Sequence, residues 1–438
     1  MRLPFSGRPL VRDWNLGAWL VLLATLPLGF YSYYQNSRIG PFNWDPGGTM
    51  GVNYRTYHYA VERALDGQTF YDVTPPGTYD WAVYLYPPGT LPTFYPFTLF
   101  EWTTGYAILT GLSILAAGLA TWLLVRYVES LGPELGWVDF GLVFAAVLFS
   151  THAYGTIYYG NINILLALAL VGGFLALQRD REYLAGGVFA VTALFKVFPA
   201  LIGFYLLRIR KWYAVGAALV TGVGGLVLGV ILYGLDATVY YFTDVVAGRT
   251  ETELFTGGYP VEGIFYITIQ RPISRLVSAL WPSAPYLVIF GASVIICASI
   301  LAYFYDDLTT ELDRQMAIFA TLVVMLVLVP SLQWYLVLLY FPLVTVLYLW
   351  QDGLSRYLFV LGGVLFSVTG NTEDTVEALE RAPDIVETVG YPIAVAATPP
   401  LYGLLLMLAA CAIHKYRSRD DSGRTVRAIS TVASRYVR

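Results

Sequence analysis

The sequence predicts an all-α polytopic integral membrane protein, and three observations support that fold class. Hydrophobic residues make up 57% of the 438 residues and charged residues only 13%, a balance that soluble domains of this length do not show. The mean hydropathy is +0.60. Several apolar runs approach about 20 residues, enough for a helix to cross a hydrocarbon core while every backbone N–H and C=O is bonded within the segment.

One apolar stretch is interrupted, unlike the continuous spans. Residues 183–207 contain Lys196 and Pro199 and have basic residues at both ends. This pattern predicts a broken helix pair that enters the membrane and returns to the same side. With this stretch included, we expect about 10 to 12 transmembrane helices. The continuous spans are predicted at residues 16–33, 102–125, 138–154, 163–177, 213–233, 286–305, 317–329, 335–350, 357–368 and 393–413.

The orientation follows from the short basic loops, because Lys and Arg near span ends stay on the cytoplasmic side. We therefore expect a multi-pass protein of the cell membrane with its N-terminus and C-terminus in the cytoplasm. The chain divides into a transmembrane module, residues 1–414, and a basic cytoplasmic tail, residues 415–438, expected to lie on anionic headgroups. A nucleic-acid partner has no support. The outer loops are predicted at residues 37–88, 236–285 and 371–392.

The first outer loop contains a segment with helical spacing, residues 52–65. Asn53 and Tyr57 share one face of this helix, whereas Arg55 lies toward the other. Gly67 follows and ends the helix, because glycine enters the left-handed region without a Cβ penalty. We expect this helix to lie along the outer membrane surface.

Asp45 is the carboxylate of this loop whose sequence neighbours most favour a functional role. It follows Trp44 and precedes Pro46-Gly47-Gly48, where a flexible backbone can hold a side chain over the mouth of a cavity. The alternative is an ordinary turn aspartate. Asp72 and Asp80 fit the turn interpretation better.

Outside the first outer loop, Lys196 is the strongest candidate for a functional residue. A charged side chain deep in an apolar stretch costs about 2.5 kcal/mol or more unless it is paired or lines a wet cavity, although a lysine can also extend to the interface. Asn161, in the sequence Gly-Asn-Ile-Asn, offers an amide to a ligand or caps a helix. Gln333 follows Pro330 at another outer span end and is equally compatible with a site or a structural role.

Metal and disulfide chemistry have little support. The histidines, His58, His152 and His414, are scattered, and no ligand spacing typical of a metal site occurs, so the metal requirement is left open. Cys297 and Cys411 each lie in an apolar run and are interpreted as packing residues.

Several motifs, in this order and spacing, resemble glycosyltransferase family 87, which belongs to the GT-C superfamily of polyprenyl-phosphate-sugar-dependent enzymes. The resemblance covers roughly residues 16–340 and implies a GT-C-like bundle. The motifs are NYRTYHYAVERALDGQTFYD at residues 53–72, YPPG at 86–89, GNIN at 160–163 and AGGVFAVTALFKVFPAL at 185–201, followed by RIRKW.

The resemblance implies an inverting sugar transfer at the outer face, with mannose as one candidate sugar. The donor would be a polyprenyl or dolichyl phosphate monosaccharide, so no separate cofactor is expected, and the acceptor a glycan or glycolipid. An aspartate of the first loop would act as general base. Lys196, Arg55 or Arg271 would meet the departing phosphate, and membrane lipid would surround the polyprenyl chain.

This chain departs from the family pattern at two positions. Asn53 stands where relatives carry an acidic residue, and an amide cannot accept the proton, so we assign the base to Asp45 upstream. Gln333 stands where relatives are expected to carry a charged or imidazole side chain. The residues predicted to bind substrate are Asn53, Tyr57, Tyr86, Asn161, Lys196 and Gln333.

Two other functions stay open at this stage. A transporter or flippase of a lipid-linked sugar would need polar residues along a path through both leaflets. A catalytically silent relative that binds polyprenyl lipid is compatible with Asn53. The oligomeric state is not indicated by any pattern.

Overall fold

The computed structural model describes residues 8–12, 15–39, 49–247, 266–351, 353–369, 377 and 379–436. The α-helices in chain order are α1 (Leu16–Ala24), α2 (Leu26–Ile39), α3 (Val52–Leu65), α4 (Trp102–Ser130), α5 (Trp137–Phe149), α6 (Thr151–Tyr158), α7 (Asn163–Gln178), α8 (Glu182–Phe195), α9 (Ile202–Arg208), α10 (Trp212–Tyr233), α11 (Leu235–Tyr240), α12 (Gln270–Leu280), α13 (Tyr286–Asp306), α14 (Glu311–Leu328), α15 (Tyr340–Leu349), α16 (Leu354–Phe366), α17 (Asp384–Ala396) and α18 (Pro399–Tyr436).

Short elements connect these helices. The 3₁₀ helices are Pro88–Leu99, Phe198–Leu201 and Gln333–Leu339, and Tyr241–Val246 is a π-helix. Strands β1 (Tyr266–Ile267) and β2 (Ser331–Leu332) pair antiparallel. The predicted all-α class is confirmed by this predominance of helix.

The predicted number of spans is only partly matched. Among the described residues, four helices are long and apolar enough to cross a membrane, or up to six if each bent pair counts as one span. The bent pairs are α5 with α6, at 45°, and α17 with α18, at 77°. Several further apolar helices have 10–17 residues. The protein is therefore a multi-pass membrane protein, and the figure of about 10 to 12 helices stays a prediction.

Polar side chains inside the apolar runs explain why some predicted spans are broken. Ser150 adopts extended backbone between α5 and α6, and its side chain accepts a hydrogen bond from the N–H of Ala153 at 3.2 Å. Thr25 lies at the junction of α1 and α2, where its hydroxyl donates to the carbonyl of Leu22 at 2.7 Å, although residues 16–35 together still form one candidate span. Such local bonds compete with the helical ladder, and hydropathy averaged over a span does not register them.

The predicted break within residues 183–207 is confirmed, whereas entry into the membrane and return to the same side stay a prediction. Helix α8 ends at Lys196, whose backbone is extended, and Pro199 lies in the following 3₁₀ helix, where its missing N–H is tolerated. The ammonium of Lys211, after α9, lies 2.8 Å from the carboxylate of Asp180 and 3.2 Å from that of Glu182. The two ends of the pair are thus adjacent.

Basic loop residues gather at one end of the bundle. Arg8 donates to Glu129 at 3.0 Å, Arg208 donates to the carbonyl of Asp306 at 3.1 Å, and Arg419 pairs with Asp306 at 2.8 Å. The segment from the end of α13 into α14, residues 306–314, contains both acidic and basic residues and joins this end through Asp306. Lys415, the first residue of the predicted tail, is buried here, and its ammonium donates to the carbonyl of Phe304 at 2.9 Å.

Helix α3 lies at the opposite end and matches the predicted bounds, with Gly67 at φ +69° after it. The helical spacing puts Arg55 on the face away from Asn53, and that face is covered. Arg55 is buried, donates to the carbonyl of Pro76 at 2.8 Å and stacks over Trp102 with 4.9 Å from its guanidinium carbon to the ring centroid. The helix is covered because the loop after it folds over that face. Its position on the outer membrane surface stays a prediction.

Candidate active site

The first turn of α3 is tied to the connection between α6 and α7. The N–H of Gly51 donates to the carbonyl of Tyr158, and the N–H of Asn53 donates to the carbonyl of Tyr159, each at 2.8 Å. The Asn53 side chain is half-buried. These bonds bring two sequence motifs that are far apart along the chain, the loop helix and the Gly-Asn-Ile-Asn turn, next to each other.

Gly160 permits that contact. Its φ of +69° lies in the left-handed region, and an added Cβ would lie 2.7 Å from the Cβ of Tyr54. Both the backbone conformation and the close approach therefore require glycine here. Asn161 follows, is 4% exposed, and its side-chain oxygen has no hydrogen-bond partner among the described residues. A buried, unsatisfied amide oxygen of this kind can accept a ligand hydroxyl.

The same turn contacts the segment that follows β2. The side-chain amide of Asn163 donates to the carbonyl of Trp334 at 3.3 Å, and the hydroxyl of Thr156 donates to the same carbonyl at 3.2 Å. The rings of Tyr159 and Trp334 lie 4.8 Å apart. Gln333, predicted from sequence as a site residue, begins the 3₁₀ helix of this segment.

Lys196 lies at the centre of an aromatic cluster. Its ammonium donates to the hydroxyl of Tyr335 at 2.9 Å and lies 4.2 Å from the centroid of that ring. The ring of Tyr86 lies 5.2 Å from the ammonium on another side. The lysine is 8% exposed, so its charge is stabilised chiefly by a phenol oxygen and two π faces. Among the described residues, no carboxylate is hydrogen-bonded to this ammonium.

Tyr57 and Tyr86 complete this cluster. Their hydroxyls lie 2.8 Å apart, and Tyr71 donates to the backbone carbonyl of Tyr86 at 2.7 Å. Tyr57 stacks on Phe94 with 4.6 Å between ring centroids. Burial, reinforced by Tyr86, raises the pKa of the Tyr57 phenol well above its ordinary value. The phenol therefore stays protonated and can donate a hydrogen bond but cannot act as a base near neutral pH.

The predicted aspartates are placed as follows. Asp45 lies outside the described residues. Asp72 and Asp80 are exposed, and Asp72 has a φ of +51°, as expected for a turn residue. The buried carboxylates of the described chain are Asp139 and Asp313.

Both buried carboxylates have structural partners. Asp139 accepts hydrogen bonds from the Trp19 indole and the Tyr348 hydroxyl, each at 2.6 Å. Asp313 accepts from Thr310 and caps the N-terminus of α14. These two carboxylates therefore stabilise helix ends and helix contacts.

The described structure thus brings five predicted residues to one end of the bundle: Asn53, Tyr57, Tyr86, Asn161 and Lys196. Sequence reasoning did not identify Trp334 or the pairing of Lys196 with Tyr335. Tyr335 was recognisable only as a residue at a span end, because its partner is 139 positions away. Within the described chain, no group of three or more His, Cys, Asp or Glu side chains could hold a metal ion.

Fold and site together define a multi-pass α-helical membrane protein with a buried cation among aromatic and amide side chains at one end of its bundle. The chain belongs to glycosyltransferase family 87, whose profile matches residues 84–331. The match includes Tyr86, Asn161 and Lys196. It begins after α3 and ends just before Gln333.

Two curated relatives are polyprenol-phosphate-mannose-dependent alpha-(1-2)-phosphatidylinositol pentamannoside mannosyltransferases. The protein of Mycobacterium tuberculosis is 27% identical over 279 residues, which are 61% of this chain and 61% of that relative. The protein of Mycolicibacterium smegmatis is 26% identical over 266 residues, 58% of this chain and 60% of its own length. The matched region therefore spans about three fifths of these relatives. No solved structure matches this chain.

Proposed function

We propose that this protein is an inverting membrane glycosyltransferase that moves a monosaccharide from a polyprenyl or dolichyl phosphate donor to a glycan or glycolipid acceptor at the outer face of the membrane. Mannose is the proposed sugar, because both relatives are named for a polyprenol-phosphate-mannose donor. Membership of glycosyltransferase family 87 supports the reaction class.

The observation that carries the proposal is the setting of Lys196. A buried ammonium held by the Tyr335 hydroxyl and two aromatic rings retains hydrogen-bonding capacity for an incoming anion, because an ammonium has three donors. It lies where α8 breaks within an apolar segment, which is where a lipid-borne phosphate could reach it. Low dielectric surroundings strengthen the attraction between these charges.

In the proposed reaction, an acceptor hydroxyl oxygen attacks the anomeric carbon of the donor sugar. The bond from that carbon to the phosphate oxygen breaks, the electron pair leaves with the polyprenyl phosphate, and the configuration inverts. Lys196 stabilises the negative charge that develops on the phosphate. Asp45 takes the proton of the hydroxyl.

The assignment of Asp45 is supported by chain length. Thr49 is the first residue after the undescribed segment 40–48, and its hydroxyl lies 3.1 Å from that of Tyr158, beside the first turn of α3. Four residues span at most about 14 Å, so Asp45 is within that reach of Thr49. Asn53 and Asn161 would bind hydroxyls of the sugar or acceptor, since their amides donate and accept but do not take up a proton.

The test is sugar transfer by the purified full chain, with a radiolabelled mannosyl phosphate polyprenol as donor and a membrane glycolipid extract as acceptor. Asp45→Asn should lower kcat about 10²- to 10⁴-fold, because a general base contributes that much. Asp80→Asn is the matched control, since Asp80 is an exposed aspartate of the same loop, and should stay within about twofold. Full activity of Asp45→Asn would show that the base lies elsewhere.

Asn53 and Gln333 favour one alternative, a catalytically silent relative that binds the donor lipid. That protein would bind the labelled donor and transfer nothing in the same assay. The structure gives a transporter less support, because Asn163 with Trp334 and Lys196 with Tyr335 lie at one end of the described bundle instead of following a path through it.

A further inference from the structure

Arg271, in the first turn of α12, has an unusual environment. The side chain is 8% exposed, and its Nε, Nη1 and Nη2 atoms have no hydrogen-bond partner among the described residues. Arg55 is buried to the same 8% but donates to the carbonyl of Pro76 and stacks on Trp102. A buried charged donor without an acceptor is costly, so Arg271 requires an explanation that Arg55 does not.

The backbone holds Arg271 firmly in position. The N–H of Ile269 donates to the carbonyl of Val327 at 2.8 Å, and the side chain of Gln270 donates to that of Leu328 at 2.8 Å. Just before them, β1 pairs with β2, which leads directly into Gln333. The backbone at Arg271 is therefore joined through these bonds to the segment that carries Tyr335, the partner of Lys196.

The charges of the described residues around Arg271 do not neutralise it. Arg275, one turn further along α12, has the same sign, and burial together with Arg275 lowers the pKa of the Arg271 guanidinium to about 10. The group therefore stays protonated at neutral pH. The phenol of Tyr402 on α18 faces it and is itself engaged, donating to the carbonyl of Ile393 at 2.9 Å.

The far half of α12 indicates where the ligand comes from. Leu276 is 69% exposed, Leu280 90% and Trp281 49%. In a multi-pass membrane protein, exposed leucines and a tryptophan on a short amphipathic helix are typical of the interface between headgroups and acyl chains. We therefore expect α12 to lie at the depth of lipid headgroups, where the available anions are phosphate esters.

We infer that Arg271 is the binding group of a second anion site, separate from Lys196, that takes the phosphate ester of a membrane lipid. The planar guanidinium offers paired donors that match phosphate oxygens. The choice of phosphate ester over another anion rests on the proposed function. Both the polyprenyl phosphate of the donor and a phosphodiester in the acceptor headgroup have this chemistry.

The test measures lipid binding, without sugar transfer, to the purified full chain in nanodiscs of neutral phosphatidylcholine. The probes are a radiolabelled polyprenyl phosphate and a radiolabelled phosphatidylglycerol. Arg271→Gln should weaken binding of at least one probe about 10- to 100-fold, and Arg271→Lys should weaken it less. Arg275→Gln is the matched control, because Arg275 is exposed on the same helix.

The two probes distinguish the sources. A loss confined to polyprenyl phosphate assigns the site to the donor, and a loss confined to phosphatidylglycerol assigns it to the acceptor. Unchanged binding of both probes to folded Arg271→Gln would overturn the inference; if that variant does not fold, Arg271→Met, which also removes the charge, is judged by the same criterion. A failure of the proposed function would look different, since wild-type protein would then bind lipid phosphate without transferring sugar.

Discussion

At the scale of single residues, Lys196 shows how a charge is accommodated inside an apolar segment. Insertion of a lysine at the centre of a membrane helix costs about 2.5 to 3.5 kcal/mol. The Tyr335 hydroxyl at 2.9 Å and the rings of Tyr335 and Tyr86 offset part of this cost, each cation–π contact by about 0.5 to 2 kcal/mol. An anionic ligand would offset more of the cost of burying the Lys196 charge. This is consistent with a site that binds phosphate.

The roles of the lysine and its partner can be separated by two substitutions. Lys196→Met should lower kcat/KM for the polyprenyl phosphate sugar at least about 10²-fold, because it removes the charge opposite the leaving phosphate. Tyr335→Phe should cost about tenfold at most, since it removes one hydrogen bond to a charged group and keeps the ring 4.2 Å from the ammonium. Steady-state transfer rates measure both.

Melting temperatures of the two variants in detergent provide the control for folding. Equal activity of Lys196→Met and wild type, with both folded, would contradict the role assigned to the lysine. A larger loss in Tyr335→Phe than in Lys196→Met would contradict the order of the two roles.

Individual site residues could be predicted from the sequence where a residue is unusual for its segment. Lys196 is conspicuous because it interrupts an apolar run, and the prediction needed no knowledge of its surroundings. The burial of Arg55 was not predicted, because the loop after α3, which includes Pro76, covers it. Helical periodicity describes one helix and has no information about a loop that folds back over it.

At the scale of elements, the turn at residues 86–89 is seated directly on α10. A Cβ at Gly89 would overlap the carbonyl oxygen of Gly225, and a Cβ at Gly229 would lie 2.8 Å from the N of Gly89. Small residues facing each other let backbones approach closely, as in membrane helix contacts generally. The contact fixes Tyr86, three residues before Gly89, against the Lys196 cluster.

Gly89→Ala should therefore displace the turn from α10. We expect a loss of about 1 to 3 kcal/mol in stability, the usual cost of overpacking, and a fall in transfer activity because Tyr86 moves with the turn. Gly224→Ala is the matched control on α10, since nothing lies within 4 Å of an added Cβ there. Thermal denaturation followed by size-exclusion chromatography compares the two variants. Equal melting temperatures would contradict the close contact.

Element-scale prediction worked best for uninterrupted apolar runs. The predicted span 213–233 corresponds to α10, Trp212–Tyr233, and 286–305 to α13, Tyr286–Asp306. The predicted span 138–154 fails as a straight helix, because Ser150 caps a new helix inside it and the axis bends by 45°. A capping serine in an apolar run has little effect on mean hydropathy, although it redirects the backbone.

At the scale of the whole molecule, the contacts sort the loops into two ends. One end joins basic loops, through Arg8 with Glu129, Ser130 with Gln178 and Arg208 with Asp306. The candidate site occupies the other end. The assignment of the basic end to the cytoplasm rests on the rule that Lys and Arg in short loops stay inside, so the orientation is a prediction with a direct test.

Cysteine labelling in intact cells can test that orientation, because the native thiols interfere little. Cys297 is 2% exposed and Cys411 0%. Gln68, exposed after α3, and Arg179, exposed after α7, lie at opposite ends of the described bundle. A membrane-impermeant maleimide should label Gln68→Cys in intact cells and Arg179→Cys only after permeabilisation.

The reverse pattern would place the Lys196 cluster on the cytoplasmic side. The donor sugar would then have to be presented from the cytoplasm, and the proposed reaction at the outer face would be wrong even if Asp45 and Lys196 proved essential. Labelling of both positions in intact cells, with an impermeable membrane verified by a cytosolic thiol protein, would contradict the separation of the two ends. The side of the membrane on which the site lies thus decides which leaflet supplies the polyprenyl phosphate donor and the acceptor lipid.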